Sequence, residues 1–146
     1  MPGAVDIAIE GSEADVDVEA LRAVAHRALV EVARGAAELS MVLCDDAFIQ
    51  PLNKEWRGED VPTDVLSFPQ GEGPGPDLLG DIVISTETAA RQAIDQGHSL
   101  QVELEVLMIH GLCHLLGHDH IDEVEADQMR TAEERILTAL NIDAKS

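Results

Sequence analysis

Four of the six histidines of this chain fall between positions 110 and 120: His110, His114, His118 and His120. On a helix, His110 and His114 lie one turn apart and project from the same face, close enough to share a metal ion. Gly117 then offers the left-handed conformation that stops a helix. A chain that turns back there can bring in His120 as a third imidazole nitrogen. Three neutral imidazoles with a fourth position open form the ligand pattern of a catalytic zinc rather than a closed structural one. His118 competes for the third place, because it stands one turn beyond His114 if the helix continues; a break at Gly117 favours His120. Cys113 has the chemistry of a ligand but points about 100° away from His114 around the helix. It reads as a small buried hydrophobe.

The spacing H-x3-H-x2-G-x2-H is similar to that of the metzincin proteases, which carry a glutamate directly after the first histidine as general base. Here that residue is Gly111. The metal expectation survives this difference and the peptidase expectation weakens.

Positioning these side chains requires a fold, and its elements are legible in order. Val5–Ile9 alternates as a first strand, and Asp15–Arg34 carries apolar residues at three- and four-residue steps, as an amphipathic helix does. Glu38–Leu43 reads as a short strand. Asp45 and Asp46 offer an N-cap for a helix running towards Trp56, with Pro51 weakening or kinking its middle. Val65–Phe68 is a strand between two prolines, and Gln70–Asp77 is a Gly/Pro-rich surface loop. Leu79–Ser85 is the clearest strand, and helices follow near 86–96, 100–116 and 123–140. The expected architecture is α+β: one domain over residues 1–146, a small mixed sheet packed with helices, and a central apolar helix bearing the His-x3-His pair.

Composition bounds the function. The 146 residues include 29 Asp and Glu against 9 Lys and Arg, a net charge of −20, yet 45% are hydrophobic, so the chain folds rather than staying disordered. A protein this acidic repels phosphate at long range, which argues against non-specific duplex DNA and anionic membranes. Its aromatics are Phe48, Trp56 and Phe68 alone, so a nucleic acid would lack a ready row of stacking rings. Residues 21–60 hold five of the nine basic side chains (Arg22, Arg27, Arg34, Lys54 and Arg57). That is where a phosphate would meet the weakest repulsion. Two cysteines are too few for a disulfide framework, no secretory signal is visible, and the longest charge-free run, Val106–His118, is too short to span a bilayer. A reduced, soluble, cytoplasmic protein is expected.

Three blocks together resemble the YbeY family of rRNA maturation factors, which are metal-dependent endoribonucleases. They are His110-Gly111-x-x-His114-Leu115-x-Gly117-x-Asp119-His120; Asn53 with Arg57-Gly58-x-Asp60-x-Pro62-Thr63-Asp64-Val65-Leu66-Ser67-Phe68-Pro69; and Leu79-Gly80-Asp81-Ile82-x-Ile84-Ser85. Trp56 stands where the family more often has Tyr or Phe, and His118 where Tyr is common. The resemblance implies one zinc ion per chain held by His110, His114 and His120, with Arg57 facing it across a cleft. It implies processing of the 3′ end of 16S rRNA and ribosome quality control, with rRNA and the small ribosomal subunit as partners. Ribosomal proteins or an assembly GTPase would be further partners.

The chemistry expected is cleavage of single-stranded RNA. The metal would polarise a phosphoryl oxygen or supply hydroxide, with Arg57 and the metal-bound His114 as catalytic residues. Asp64, Asp81 and Asp119 are candidates for orienting ligands or handling protons, or else caps and surface charges. Two other functions fit the same residues: a metal hydrolase of another substrate, or a zinc-containing ribosome-assembly factor without catalysis.

Overall fold

The computed structural model describes residues 4–12, 14–70, 78–118 and 122–142. Predicted ligand His120, the candidate Asp119 and most of the predicted loop, 71–77, lie outside the described residues. The element order is β1 (Val5–Glu10), α1 (Val18–Glu31), β2 (Glu38–Cys44), α2 (Asp46–Arg57), β3 (Val65–Pro69), β4 (Leu78–Ser85), α3 (Thr86–Gln96), α4 (Leu100–Leu115) and α5 (Glu123–Ala139). This is the expected α+β arrangement. The first helix is shorter at both ends than its apolar periodicity suggested. Asp17 caps it by accepting from the Ala20 N–H, and Val32 leaves helical geometry at the other end. Pro51 sits inside α2 without ending it.

The sheet is ordered β1-β2-β4-β3, with β1, β2 and β4 parallel and β3 antiparallel to β4 at one edge. Alternation along the strands sorts side chains onto two faces. Leu39, Met41 and Leu43 of β2, with Ile82 and Ile84 of β4, enter the large core built with α1, α4 and α5. Cys44, Leu66 and Val83 point the other way, into a small cluster with Ile49, against which Val42, Leu52 and Phe68 pack. One face therefore has a thick cover and the other is screened mainly by α2.

Helix α4 is the central element, and Leu104, Met108, Ile109, Leu112 and Cys113 within it are fully buried. It lies unusually close to the sheet at Gly111. A Cβ there would stand 3.0 Å from both Ile82 Cγ2 and Ser67 Oγ, and those two residues are cross-strand partners of β4 and β3. The Ser67 hydroxyl donates to the Gly111 carbonyl at 3.2 Å. The position that carries the metzincin base thus faces the sheet in this chain, where a side chain would crowd Ile82 and Ser67.

Candidate active site

Both histidines of the central helix stand at its C-terminal end, half-buried. Their Nε2 atoms are 3.2 Å apart. His110 Nδ1 lies 2.5 Å from Glu133 Oε1 of α5, a contact between an imidazole and a carboxylate that fixes the ring. The helix ends as Gly117 predicted. With φ +98 at Gly117, the His118 N–H reaches back to the Cys113 carbonyl at 3.0 Å and the Gly117 N–H to the His114 carbonyl at 3.0 Å. These are the paired bonds of a Schellman stop. Cys113 is fully buried, and burial, with the Glu133 charge adding to it, pushes its thiol up to about 12. It stays a neutral, buried thiol.

A cleft of about 1170 Å³ opens beside this pair, lined by His110, His114 and His118 as well as by Arg57, Asp64 and Asp81. The edge strand β3 contributes Val65 through Pro69 to its wall. Arg57 is the last residue of α2, exposed, and among the described residues the only Lys or Arg lining this cleft. Lys54 shares the last turn of α2 with it, but the arginines of α1 do not gather around it. Arg22 is paired with Glu19 and bound to the Val5 carbonyl, and Arg27 reaches the Leu140 carbonyl. Arg22 and Arg27 are kept from Arg57 because α1 and α2 pack on opposite faces of the sheet.

The segment after Arg57 is folded back on α2 by side chains of the helix itself. Asn53, fully buried, donates from Nδ2 to the Val61 carbonyl at 2.8 Å. Gln50 Nε2 donates to the Asp60 carbonyl at 3.2 Å and to its Oδ1 at 3.1 Å. Asp64 closes the turn into β3: its Oδ1 accepts from the Val65 N–H at 2.7 Å and its Oδ2 from Gln92 at 3.3 Å. Asp81 Oδ2 accepts from Gln70 at 2.9 Å. The described candidates are thus gathered at one cleft, but Asp64 already accepts from Thr63 Oγ1, the Val65 N–H and Gln92 Nε2.

Among the described residues no group of three His, Cys, Asp or Glu side chains is placed to hold a metal ion. The third predicted ligand, His120, lies outside them. Among the described residues, too, no helix is long and apolar enough to cross a membrane.

The sequence pattern of the family described as Endoribonuclease YbeY matches residues 6–141. The chain belongs to that family. An Endoribonuclease YbeY of Carboxydothermus hydrogenoformans is 51% identical over 108 residues, covering 74% of this chain and 76% of the relative. One from Paramagnetospirillum magneticum is 46% identical and covers 96% and 92% of the two chains. The solution structure of a Thermotoga maritima protein matches with a TM-score of 0.59 at 25% identity, over 92% of this chain and 91% of that one.

Two features of this family member escaped sequence reasoning. Glu133 is 23 positions from His110 on another helix, and nothing in local spacing signals the pairing; only the amphipathic docking of α5 on α4 brings it there. The aromatic residues were discounted because composition counts rings without placing them. Phe48, Trp56 and Phe68 all line the cleft; they form no row of parallel rings, Trp56 and Phe68 meeting edge-on, but they are gathered in one place.

Proposed function

We propose that this chain is a zinc-dependent endoribonuclease that cleaves single-stranded RNA in ribosomal RNA processing, at the 3′ end of 16S rRNA, in the cytoplasm. The observation that carries the reading is one juxtaposition: the paired Nε2 atoms of His110 and His114 share a cleft with Arg57, in a member of an endoribonuclease family. The alternative of a binding factor without catalysis is not favoured by that membership.

The spacing of the two described histidine nitrogens suits a zinc ion. Two nitrogens each about 2.0–2.1 Å from a tetrahedral ion stand about 3.3 Å apart, and the two histidine nitrogens are 3.2 Å apart. With the Nδ1 proton of His110 donated to Glu133, its Nε2 lone pair is left to face a cation, as in a carboxylate–histidine–metal arrangement. His110, His114 and His120 would hold the ion. The chemistry it supplies when bound is polarisation of a phosphoryl oxygen and a lowered pKa for water.

The protein's own groups do the rest. The Arg57 guanidinium presents a fork of donors to a phosphate and offsets the charge that builds in the transition state. Asp81 lines the cleft and is better placed than Asp64 to take a proton, from water or from the RNA 2′-hydroxyl, because Asp64 accepts from backbone at the start of β3. A net charge of −20 slows capture of free RNA. Delivery on the small ribosomal subunit, through basic ribosomal proteins or an assembly GTPase, overcomes that repulsion.

The test is cleavage of a 16S 3′-end RNA, free and within ribosomes, by zinc-loaded wild type beside His114→Ala and Arg57→Ala, all purified identically. Wild-type cleavage with both variants reduced at least about 100-fold supports the assignment. Equal cleavage by all three proteins overturns it.

A further inference from the structure

The three aromatic side chains of the chain converge on one place. Phe68 is half-buried and anchored on the small cluster of Cys44, Ile49, Leu66 and Val83. Trp56 stands edge-on to it, with ring centroids 5.6 Å apart and planes at 67°. The indole is nonetheless 63% exposed, and Phe48 nearby is 40% exposed. An indole this open adds little to core burial, so packing alone does not account for its place. Trp56 immediately precedes Arg57 on the last turn of α2. Successive helical residues point about 100° apart, so one can meet the face of a base while the other meets the backbone that carries it.

We propose that Trp56, braced by Phe68, is a stacking platform for an unpaired base of the RNA, beside the phosphate engaged by Arg57. The proposal rests on the ribonuclease reading and adds to it where the binding energy comes from. In a chain of net charge −20, phosphate contacts are opposed by the field of the whole protein. Stacking is indifferent to that field, because every base has a π-face and none carries charge. It also requires an unpaired base, so it selects single strands over duplex. An apolar segment of a protein partner could cover the same rings, but it would have no use for the adjacent guanidinium and the imidazole pair in the same cleft.

Trp56 is the sole tryptophan, so its fluorescence reports on this surface alone. The experiment titrates the zinc-loaded full chain with a short 2′-O-methylated single-stranded RNA, which cannot be cleaved by its own 2′-hydroxyl and whose length is checked after the titration to exclude cleavage by water, and with an abasic strand of the same length and charge. Binding of each is followed separately by polarisation of a labelled copy. The base-bearing strand is expected to quench Trp56 and to bind about 5- to 150-fold more tightly than the abasic strand, the range for stacking of one base on an aromatic ring. That ratio should hold from low to high salt. Trp56→Ala should lose most of it and Trp56→Phe should keep most of it.

His114→Ala, impaired in cleavage, should still show the quenching, so loss of the ribonuclease reading and loss of the stacking subsite give different results. Equal binding of the two strands overturns the proposal, as does binding that leaves Trp56 emission unchanged. A Trp56 response to basic ribosomal proteins but not to the base-bearing strand would assign the surface to a protein partner and overturn it as well.

Discussion

The two ends of helix α4 carry the same pair of groups in different surroundings. At its start, His98 Nε2 and Glu103 Oε1 are 2.5 Å apart with side chains 4% and 3% exposed. Near its end, His110 Nδ1 and Glu133 Oε1 are also 2.5 Å apart, with side chains 35% and 24% exposed. The first pair ties the turn after α3 to the first turn of α4, in a place that water does not reach. The second ties α4 to α5 and leaves the far nitrogen of the imidazole on the cleft, 3.2 Å from His114 Nε2. Burial, not bond length, separates a pair that holds the fold from one that can also hold a ligand.

The comparison breaks most visibly if the buried pair is cut. Removing one partner of a buried pair leaves the other without compensation, at a cost of about 3–5 kcal/mol. His98→Ala is therefore expected to lose about that much stability in urea denaturation. Its zinc affinity, measured on the folded fraction, should match the wild type. A loss below about 1 kcal/mol, the value of an exposed pair, would erase the distinction between the two ends.

The cleft pair should behave the other way round. Glu133→Gln keeps the shape but weakens the acceptor that orients His110, and changes of this kind lower metal affinity about 10- to 100-fold. Competition against a chelator measures it. The metal-free protein should lose less than about 1 kcal/mol, because the pair is partly open to water. Zinc should raise the unfolding temperature of the wild type more than that of Glu133→Gln, since an ion that binds only the folded state stabilises it by mass action.

These two pairs also mark how far the sequence was readable. The order of elements, the Gly117 stop and the shared face of His110 and His114 all rest on local rules of period and capping. Each appears in the fold within a few residues of its expected place. Glu133 and the aromatic cluster were not readable, because each is assembled from elements distant in the chain: α5 against α4, and α2 against β3. Gly111 shows the intermediate case. The sequence shows only that the residue after His110 is not a glutamate; the structure adds that a side chain there would press on Ser67 and Ile82. Of the basic residues of positions 21–60, Arg57 does reach the cleft, while Arg22 and Arg27 lie with α1 on the other side of the sheet, a division that sequence order does not reveal.

The smallest expected effect concerns a carboxylate that anchors a helix without a histidine. Asp46, at the start of α2, accepts from Ser85 Oγ at 2.6 Å, Thr88 Oγ1 at 2.6 Å and Arg91 at 2.9 Å. Desolvation works to raise its pKa, but these three donors and the Arg91 charge outweigh it and hold the carboxylate below its ordinary value. A carboxylate whose folded pKa is depressed contributes stability that is fully present above its unfolded value, about 3.9, and is lost as pH falls through the folded one. Asp46→Asn should therefore be less stable than wild type at neutral pH, and the gap should close progressively below about pH 4. Urea midpoints measured from neutral to acid pH would show it. A gap independent of pH would mean that Asp46 acts through shape and hydrogen-bond count alone. The contrast between buried and open carboxylates would then rest only on the two pairs of α4.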